Sequence, residues 1–152
     1  APPGYHAGMR CALARLMLLA PPAAAEETPA DPPADLAESG EDIAPEDWRA
    51  LVEGRTVWYR IGPDLWGRER YAVGADRVIF QFADGRCVEG AWTYAEPWYC
   101  FDFGDAMPGG APHCFRHLRH DDGLWVLSVT GEPQAVERID STPLGCGPDV
   151  VS

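Results

Sequence analysis

One pattern recurs between residues 55 and 139. A short stretch rich in β-branched and aromatic residues is followed by a break at glycine, proline or aspartate. Such punctuation favours short strands joined by tight turns. The strongest turn signal is Asp84-Gly85, which separates two of these stretches. The predicted strands cover residues 55–61, 68–73, 77–83, 86–95, 97–103, 112–119, 123–130 and 134–139.

Strands that follow one another without long helices predict an all-β fold, an antiparallel meander of about eight short strands. Closure into a small barrel would remove the exposed sheet edges, and a two-sheet sandwich is the alternative. One short N-terminal helix is predicted over 45–54. Pro45 suits its first position, Gly54 suits its end, and Trp48 and Val52 lie on one apolar face. This helix would plug one end of a barrel.

The segment that precedes this helix divides into two parts. Met9 and Arg10, a short apolar run over 16–20 and the A-x-A residues 23–25 predict a secretory signal peptide; a disordered Ala/Pro-rich tail is the alternative. We therefore assign the chain to four regions. These are a cleaved signal peptide with upstream residues (1–25), an acidic Pro/Ala-rich disordered linker (26–44), a single β domain (45–146) and a C-terminal tail (147–152).

Export and charge restrict the partners. The apolar run is too short to span a bilayer, so the mature chain is expected to be periplasmic or secreted, with no transmembrane segment after cleavage.

The formal net charge is −12, all twelve basic residues are arginine, and all 24 acids follow Ala25. Such a surface repels nucleic acid and anionic membranes. A cationic partner is compatible with it, although solubility is a simpler reason for the charge.

Four cysteines follow the signal peptide, and an even number in an exported chain predicts two disulfides. Three pairings are possible. If strands 97–103 and 112–119 are neighbours, Cys100 and Cys114 can face each other. Elimination then pairs Cys87 with Cys146, which would tie the C-terminal tail to the sheet.

The densest group of possible metal ligands lies in residues 113–122. His113 and His117 share one face of a strand, but they lie about 13 Å apart at ~3.3 Å per residue. Only His120, with the two aspartates after it, could converge locally. The three histidines are weak metal candidates, and we predict no metal and no other cofactor.

Most aromatic side chains are expected to fill the core, because each buries a large apolar area. Trp66 is the exception, since it is predicted to lie in a turn over 62–67, where it would contact a ligand or partner. Trp98 and Tyr99 point to opposite faces of their strand, which can leave one of them at the surface. These three residues are the candidate binding residues.

Four short motifs carry a family resemblance. They are G-R-T-V-W-Y at 54–59, G-A-W at 90–92, Y-C-F at 99–101 and H-C-F at 113–115. Over residues 51–130 the chain resembles a group of small exported proteobacterial β domains of unknown function. The resemblance implies a periplasmic β domain with a Cys–Cys crosslink and no assigned activity. The order of a helix followed by a Trp-containing strand also resembles lipocalin-like barrels. In those barrels, however, the G-x-W motif lies in the first strand, whereas here it lies at 90–92.

No serine-hydrolase, cysteine-nucleophile, phosphate-loop or haem-attachment motif occurs, so no catalytic residue is predicted. We predict a non-enzymatic periplasmic module that binds an unknown protein or small ligand. One alternative is a barrel that carries an apolar or aromatic ligand, which an interior packed solid by Trp58, Trp92 and Trp125 would exclude. Another is an inhibitor of a cationic cell-wall-active enzyme. An enzyme or metalloprotein would need the histidines to converge.

Overall fold

The computed structural model describes residue 4 and residues 31–107, 109–110 and 112–147. The predicted signal peptide, apart from the upstream Gly4, lies outside the described residues. The helical elements are α1 (Leu36–Ser39), α2 (Pro45–Val52) and a 3-10 turn (Gly104–Ala106). The strands are β1 (Glu41–Asp42), β2 (Thr56–Ile61), β3 (Asp64–Tyr71), β4 (Arg77–Phe82), β5 (Cys87–Ala95), β6 (Trp98–Asp102), β7 (His113–His120), β8 (Gly123–Ser128) and β9 (Pro133–Asp140).

The strands close into an antiparallel barrel. Each strand from β2 to β8 pairs with the next one along the chain, and β9 pairs back with β2. The extra strand β1 pairs with β7 outside this ring. The predicted eight-stranded meander is confirmed, and closure decides between the barrel and the sandwich. The helix prediction is also confirmed, although α2 ends two residues early.

Alternate residues of each strand point into the barrel, because successive side chains of a pleated strand face opposite ways. Their register brings inward residues of neighbouring strands level with each other, as in the pairs Glu69–Phe80 and Trp92–Phe101. The core is accordingly built from large rings. Its buried members are Ile43, Trp48, Val52, Val57, Tyr59, Tyr71, Val78, Phe80, Val88, Trp92, Tyr99, Phe101, Phe103 and Val126.

Two inward glycines give the large rings their space. A Cβ at Gly90 would lie 2.5 Å from Cδ1 of Phe103, and one at Gly67 would collide with the ring of Phe80. The glycine of the G-A-W motif is therefore a packing requirement of the barrel.

Helix α2 closes one end of the barrel. Trp48 and Val52 are fully buried, as the predicted apolar face requires. The Trp48 ring packs edge-on against Tyr71 at a centroid distance of 6.2 Å and lies 4.2 Å from the ring of His117. Since β3 ends at Tyr71, α2 covers the end of the barrel opposite to the start of that strand.

Residues 36–43 belong to the folded domain, whereas the sequence predicted a disordered linker over 26–44. Leu36 in α1 is buried in a second cluster, on the outside of the barrel, with Leu118, Trp125 and Leu127. Arg116 holds β1 in place through a bidentate ion pair with Asp42. Its Nε lies 2.9 Å from Oδ1 and its Nη2 lies 2.8 Å from Oδ2 of that aspartate. Acidic composition hid the few apolar residues that dock this segment.

Both predicted disulfides are present. Cys100 and Cys114 are direct partners in the register of β6 and β7, as the geometric argument required. Cys87, at the start of β5, is bonded to Cys146. The segment before Cys146 is also fixed by the hydroxyl of Thr56, which donates a 2.6 Å hydrogen bond to the carbonyl of Thr142. The two crosslinks fit a protein outside the reducing cytoplasm.

Candidate functional site

The barrel holds a cavity of about 350 Å³. It lies away from α2, toward the start of β3 and the end of β8. Most of its wall consists of inward aromatic and aliphatic side chains. The lining residues are Tyr59, Trp66, Glu69, Phe80, Phe101, Phe103, Met107, Pro112, His113, Cys114, Phe115, His117, Val126, Ser128, Val129, Thr130, Glu132 and Gln134.

The cavity opens to solvent at a partly apolar mouth. Trp66 is 43 % exposed and Val129 is 63 % exposed, and both line the cavity. Trp66 packs edge-on against Phe82 at a centroid distance of 6.1 Å. Since exposed large apolar side chains at the rim of a concave site favour a ligand, this mouth is suited to admit one.

Among the described residues, Glu69 is the one buried carboxylate of the inner wall, with only 4 % of the residue exposed. Its Oε2 accepts hydrogen bonds from the hydroxyls of Tyr59 at 3.0 Å and Tyr71 at 2.9 Å. In the part of the chain that the structure describes, its Oε1 has no hydrogen-bond partner. Glu69 therefore presents one unused oxygen in a cavity that is otherwise mostly apolar.

Burial raises the pKa of Glu69 to about 7, and the two tyrosine hydrogen bonds oppose that shift. Burial also raises the pKa of both tyrosines, and the neighbouring Glu69 charge raises them further. Both hydroxyls therefore stay protonated and remain donors. The carboxyl group changes its charge near neutral pH because its surroundings solvate the anion poorly.

His117 forms another part of the inner wall and is fully buried. Burial lowers its pKa to about 3, so the imidazole is neutral at physiological pH. Its Nδ1 has no hydrogen-bond partner among the described residues. The ring is packed by Trp48 and Tyr99, which accounts for its burial.

The structure separates the residues that the sequence proposed for binding. Trp66 does line the cavity, but it lies within β3 and not in a turn, because that strand begins at Asp64. Tyr99 is fully buried and its hydroxyl donates a 2.6 Å hydrogen bond to the carbonyl of Ile43, so it cannot meet a partner at the surface. Trp98 is half-buried and is absent from the described cavity wall.

The histidine cluster does not converge. His113 and His117 line the cavity, whereas His120 lies toward Asp35 and Asp121, at 3.8 and 3.4 Å. Within the described ranges, three or more His, Cys, Asp or Glu side chains nowhere come together in a group able to hold a metal ion. Cys114 is engaged in its disulfide.

Sequence reasoning missed Glu69, which is the most distinctive group of the cavity. A signal was present, since Glu69 alternates with Tyr71 in a predicted strand and so shares its inward face. Acidic side chains are seldom buried, so an acid on the apolar face of a strand indicates a functional role more than a packing role.

Comparison with protein-family models, with curated proteins and with solved structures finds no match to this chain. The resemblance to the exported proteobacterial domains stays a prediction. Helices of the length and apolarity needed to cross a bilayer do not occur in the described part of the chain.

Proposed function

We propose that this protein is a non-enzymatic periplasmic module that holds a small apolar or aromatic molecule inside its barrel. The observation that carries the proposal is the open, largely apolar cavity of about 350 Å³. Small-molecule sites are concave, mostly apolar and carry a few polar groups, which here include Glu69, His117 and Gln134.

The three tryptophans Trp58, Trp92 and Trp125 do not line the described wall of the cavity. Trp58 lies on the outer surface, between the guanidinium groups of Arg68 at 4.7 Å and Arg138 at 3.8 Å. Trp125 belongs to the outer cluster under α1. Trp92 packs in the core and is absent from the described wall of the cavity. This arrangement favours a barrel that carries a ligand over a barrel whose interior is filled by side chains.

The size of the cavity limits the ligand. A volume of about 350 Å³ lies at the lower end of the ~300–1,000 Å³ range of small-molecule pockets. A compact body of one or two rings fits this volume better than a long acyl chain. The aromatic wall favours ring-on-ring contacts with such a body.

A neutral naphthalene alcohol, 2-naphthylmethanol, tests the proposal by calorimetric titration of the purified chain. We expect saturable one-to-one binding. Val126→Phe adds a ring inside the cavity and should weaken binding about tenfold or more, because it removes ligand volume. Val73→Phe is the matched control, since Val73 is 77 % exposed and lies off the described cavity wall.

Trp66→Ala should weaken the same interaction by about threefold to tenfold, because Trp66 forms part of the mouth. Thermal unfolding of each variant checks that the barrel is intact. Absence of binding to the wild type, or equal binding to wild type and a folded Val126→Phe variant, would contradict the proposal.

A further inference from the structure

We propose that the ligand carries a positively charged amine, and that its ammonium group pairs with Oε1 of Glu69 while its apolar body fills the cavity. This inference rests on the proposed function and specifies its ligand class. The geometry that carries it is a buried carboxylate with one oxygen engaged by two tyrosines and the other unused.

The tyrosines orient the carboxylate. Tyr59 on β2 and Tyr71 on β3 both donate to Oε2, which fixes the side chain and leaves Oε1 as the acceptor for a ligand. An ionised carboxylate has acceptor oxygens and no donor, so the complementary group of the ligand is a donor. A charged donor gives the stronger hydrogen bond, because charge assistance and the low local dielectric add to it.

Among the residues that the structure describes, arginine side chains do not reach Oε1 of Glu69. The arginines beside Glu69 in β3 point outward: Arg68 lies over Trp58 and bonds Gln81, and Arg70 reaches the hydroxyl of Thr56. The neighbouring strand β4 places Phe80 opposite Glu69. Over the described wall of the cavity, arginine is absent.

The described cavity wall holds four other titratable groups. They are Tyr59, His113, His117 and Glu132. His117 is neutral at physiological pH and does not repel an ammonium group. Glu132 is exposed, and its carboxylate adds negative charge at the wall of the cavity.

The aromatic wall of the cavity and the net charge of the protein both favour a cationic ligand. Ring faces such as those of Phe80 and Phe101 attract cations through their quadrupole, most strongly when the cation is desolvated. The formal net charge of −12 draws cations toward the protein and repels anions. A fatty acid or other carboxylate would place a second negative charge beside Glu69 and should be rejected.

The pH dependence follows from the carboxyl group. Glu69, with a pKa of about 7, is partly protonated at neutral pH in the free protein. An ammonium ligand favours the ionised form, so binding should release protons, and affinity should rise between about pH 6 and pH 8. An alkyl amine stays protonated over this range. A neutral ligand that accepts a hydrogen bond from protonated Glu69 would show the opposite trend.

Three probes with one body test the inference: 2-naphthylmethylamine, 2-naphthylmethanol and 2-naphthoate. Calorimetric titration near pH 8 should rank the amine tightest, by about tenfold over the alcohol, and the carboxylate weakest. Glu69→Gln should remove the advantage of the amine and leave the alcohol within about threefold. Glu96→Gln, which removes an exposed acid away from the described cavity wall, is the matched control and should keep the advantage.

The two proposals fail differently. If none of the three probes binds, the proposed function fails. The cation proposal is overturned if the alcohol binds and the amine binds no more tightly. It is also overturned if a folded Glu69→Gln variant still prefers the amine to the alcohol. In both cases the proposal that the barrel carries a small apolar ligand remains supported. Titration in two buffers of different ionisation enthalpy reads out proton release, which should disappear for the amine with Glu69→Gln.

Discussion

The imidazole of His117 lies flat on the ring of Tyr99, with centroids 3.9 Å apart and planes only 5° apart. The Trp48 ring covers it at 4.2 Å. His117 therefore behaves as an aromatic member of the core, and its burial opposes protonation. The stack links α2, β6 and β7 through one ring.

The stability of the fold should depend on this histidine at acid pH. The pKa of His117 is about 3, below the ordinary value of 6.5, so between these values the unfolded chain binds the extra proton. Its contribution is present above about pH 6.5 and is lost as the pH falls toward 3, by at most ~1.4 kcal/mol per pH unit. Denaturant unfolding should show wild type losing stability relative to His117→Phe over this window. Parallel pH profiles for the two proteins would contradict the prediction.

Glu69 should change the stability of the fold with pH in the opposite direction to His117. Its pKa of about 7 lies above the ordinary value of 4.5, so the folded state holds a proton that the unfolded chain releases. Stability from this group is present below about pH 4.5 and is lost as the pH rises through 7, by at most ~1.4 kcal/mol per pH unit. Relative to Glu69→Gln, wild type should weaken from pH 5 to pH 8 in denaturant titrations.

Between pH 4.5 and 6.5 the contributions of Glu69 and His117 oppose each other, so each variant is compared with wild type separately. Glu132→Gln controls for the loss of one exposed negative charge. If Glu69→Gln and wild type keep a constant difference in unfolding free energy, Glu69 is not buried as described.

The two disulfides should contribute unequally. Chain entropy assigns about 3 kcal/mol to the Cys100–Cys114 loop and about 4 kcal/mol to the longer Cys87–Cys146 loop, whose separations are 14 and 59 residues. Paired Cys→Ala variants of each bond, compared by urea unfolding, should show both losses, with the larger for Cys87–Cys146. Thiol titration of the native protein should find these four cysteines unreactive. Four free thiols would contradict the bonding.

Leu36 should stabilise the domain although it lies in an acidic segment. It is 3 % exposed and packs against Leu118, Trp125 and Leu127. Leu36→Ala should cost about 2–4 kcal/mol of unfolding free energy, since it opens a void beneath α1. Val73→Ala, at a position 77 % exposed, is the control and should cost less than about 0.5 kcal/mol. Equal, small losses would show that residues 36–43 do not dock.

Local patterns were enough to predict the strands, the turns and both disulfides. Alternation and glycine punctuation are properties of neighbouring residues, and seven of the eight predicted strands agree with the structure within two residues at each end. Strand β3 is the exception, since it covers 64–71 where 68–73 was predicted. Trp66 was placed in a turn because the sequence 62–67 contains Gly, Pro and Asp, yet pairing with β2 on both sides of a β-bulge extends β3 through it. Leu36 was overlooked because a single apolar residue in an acidic stretch has no periodicity.

The class of the fold follows from local sequence patterns, since short alternating segments can bury their apolar faces only by pairing with one another. Tertiary structure alone decided that the sheet closes on itself and that the interior keeps a cavity. Closure brings Glu69, Tyr59 and His117 to one space from three strands. The volume left between their side chains depends on how distant residues pack, which no local pattern contains.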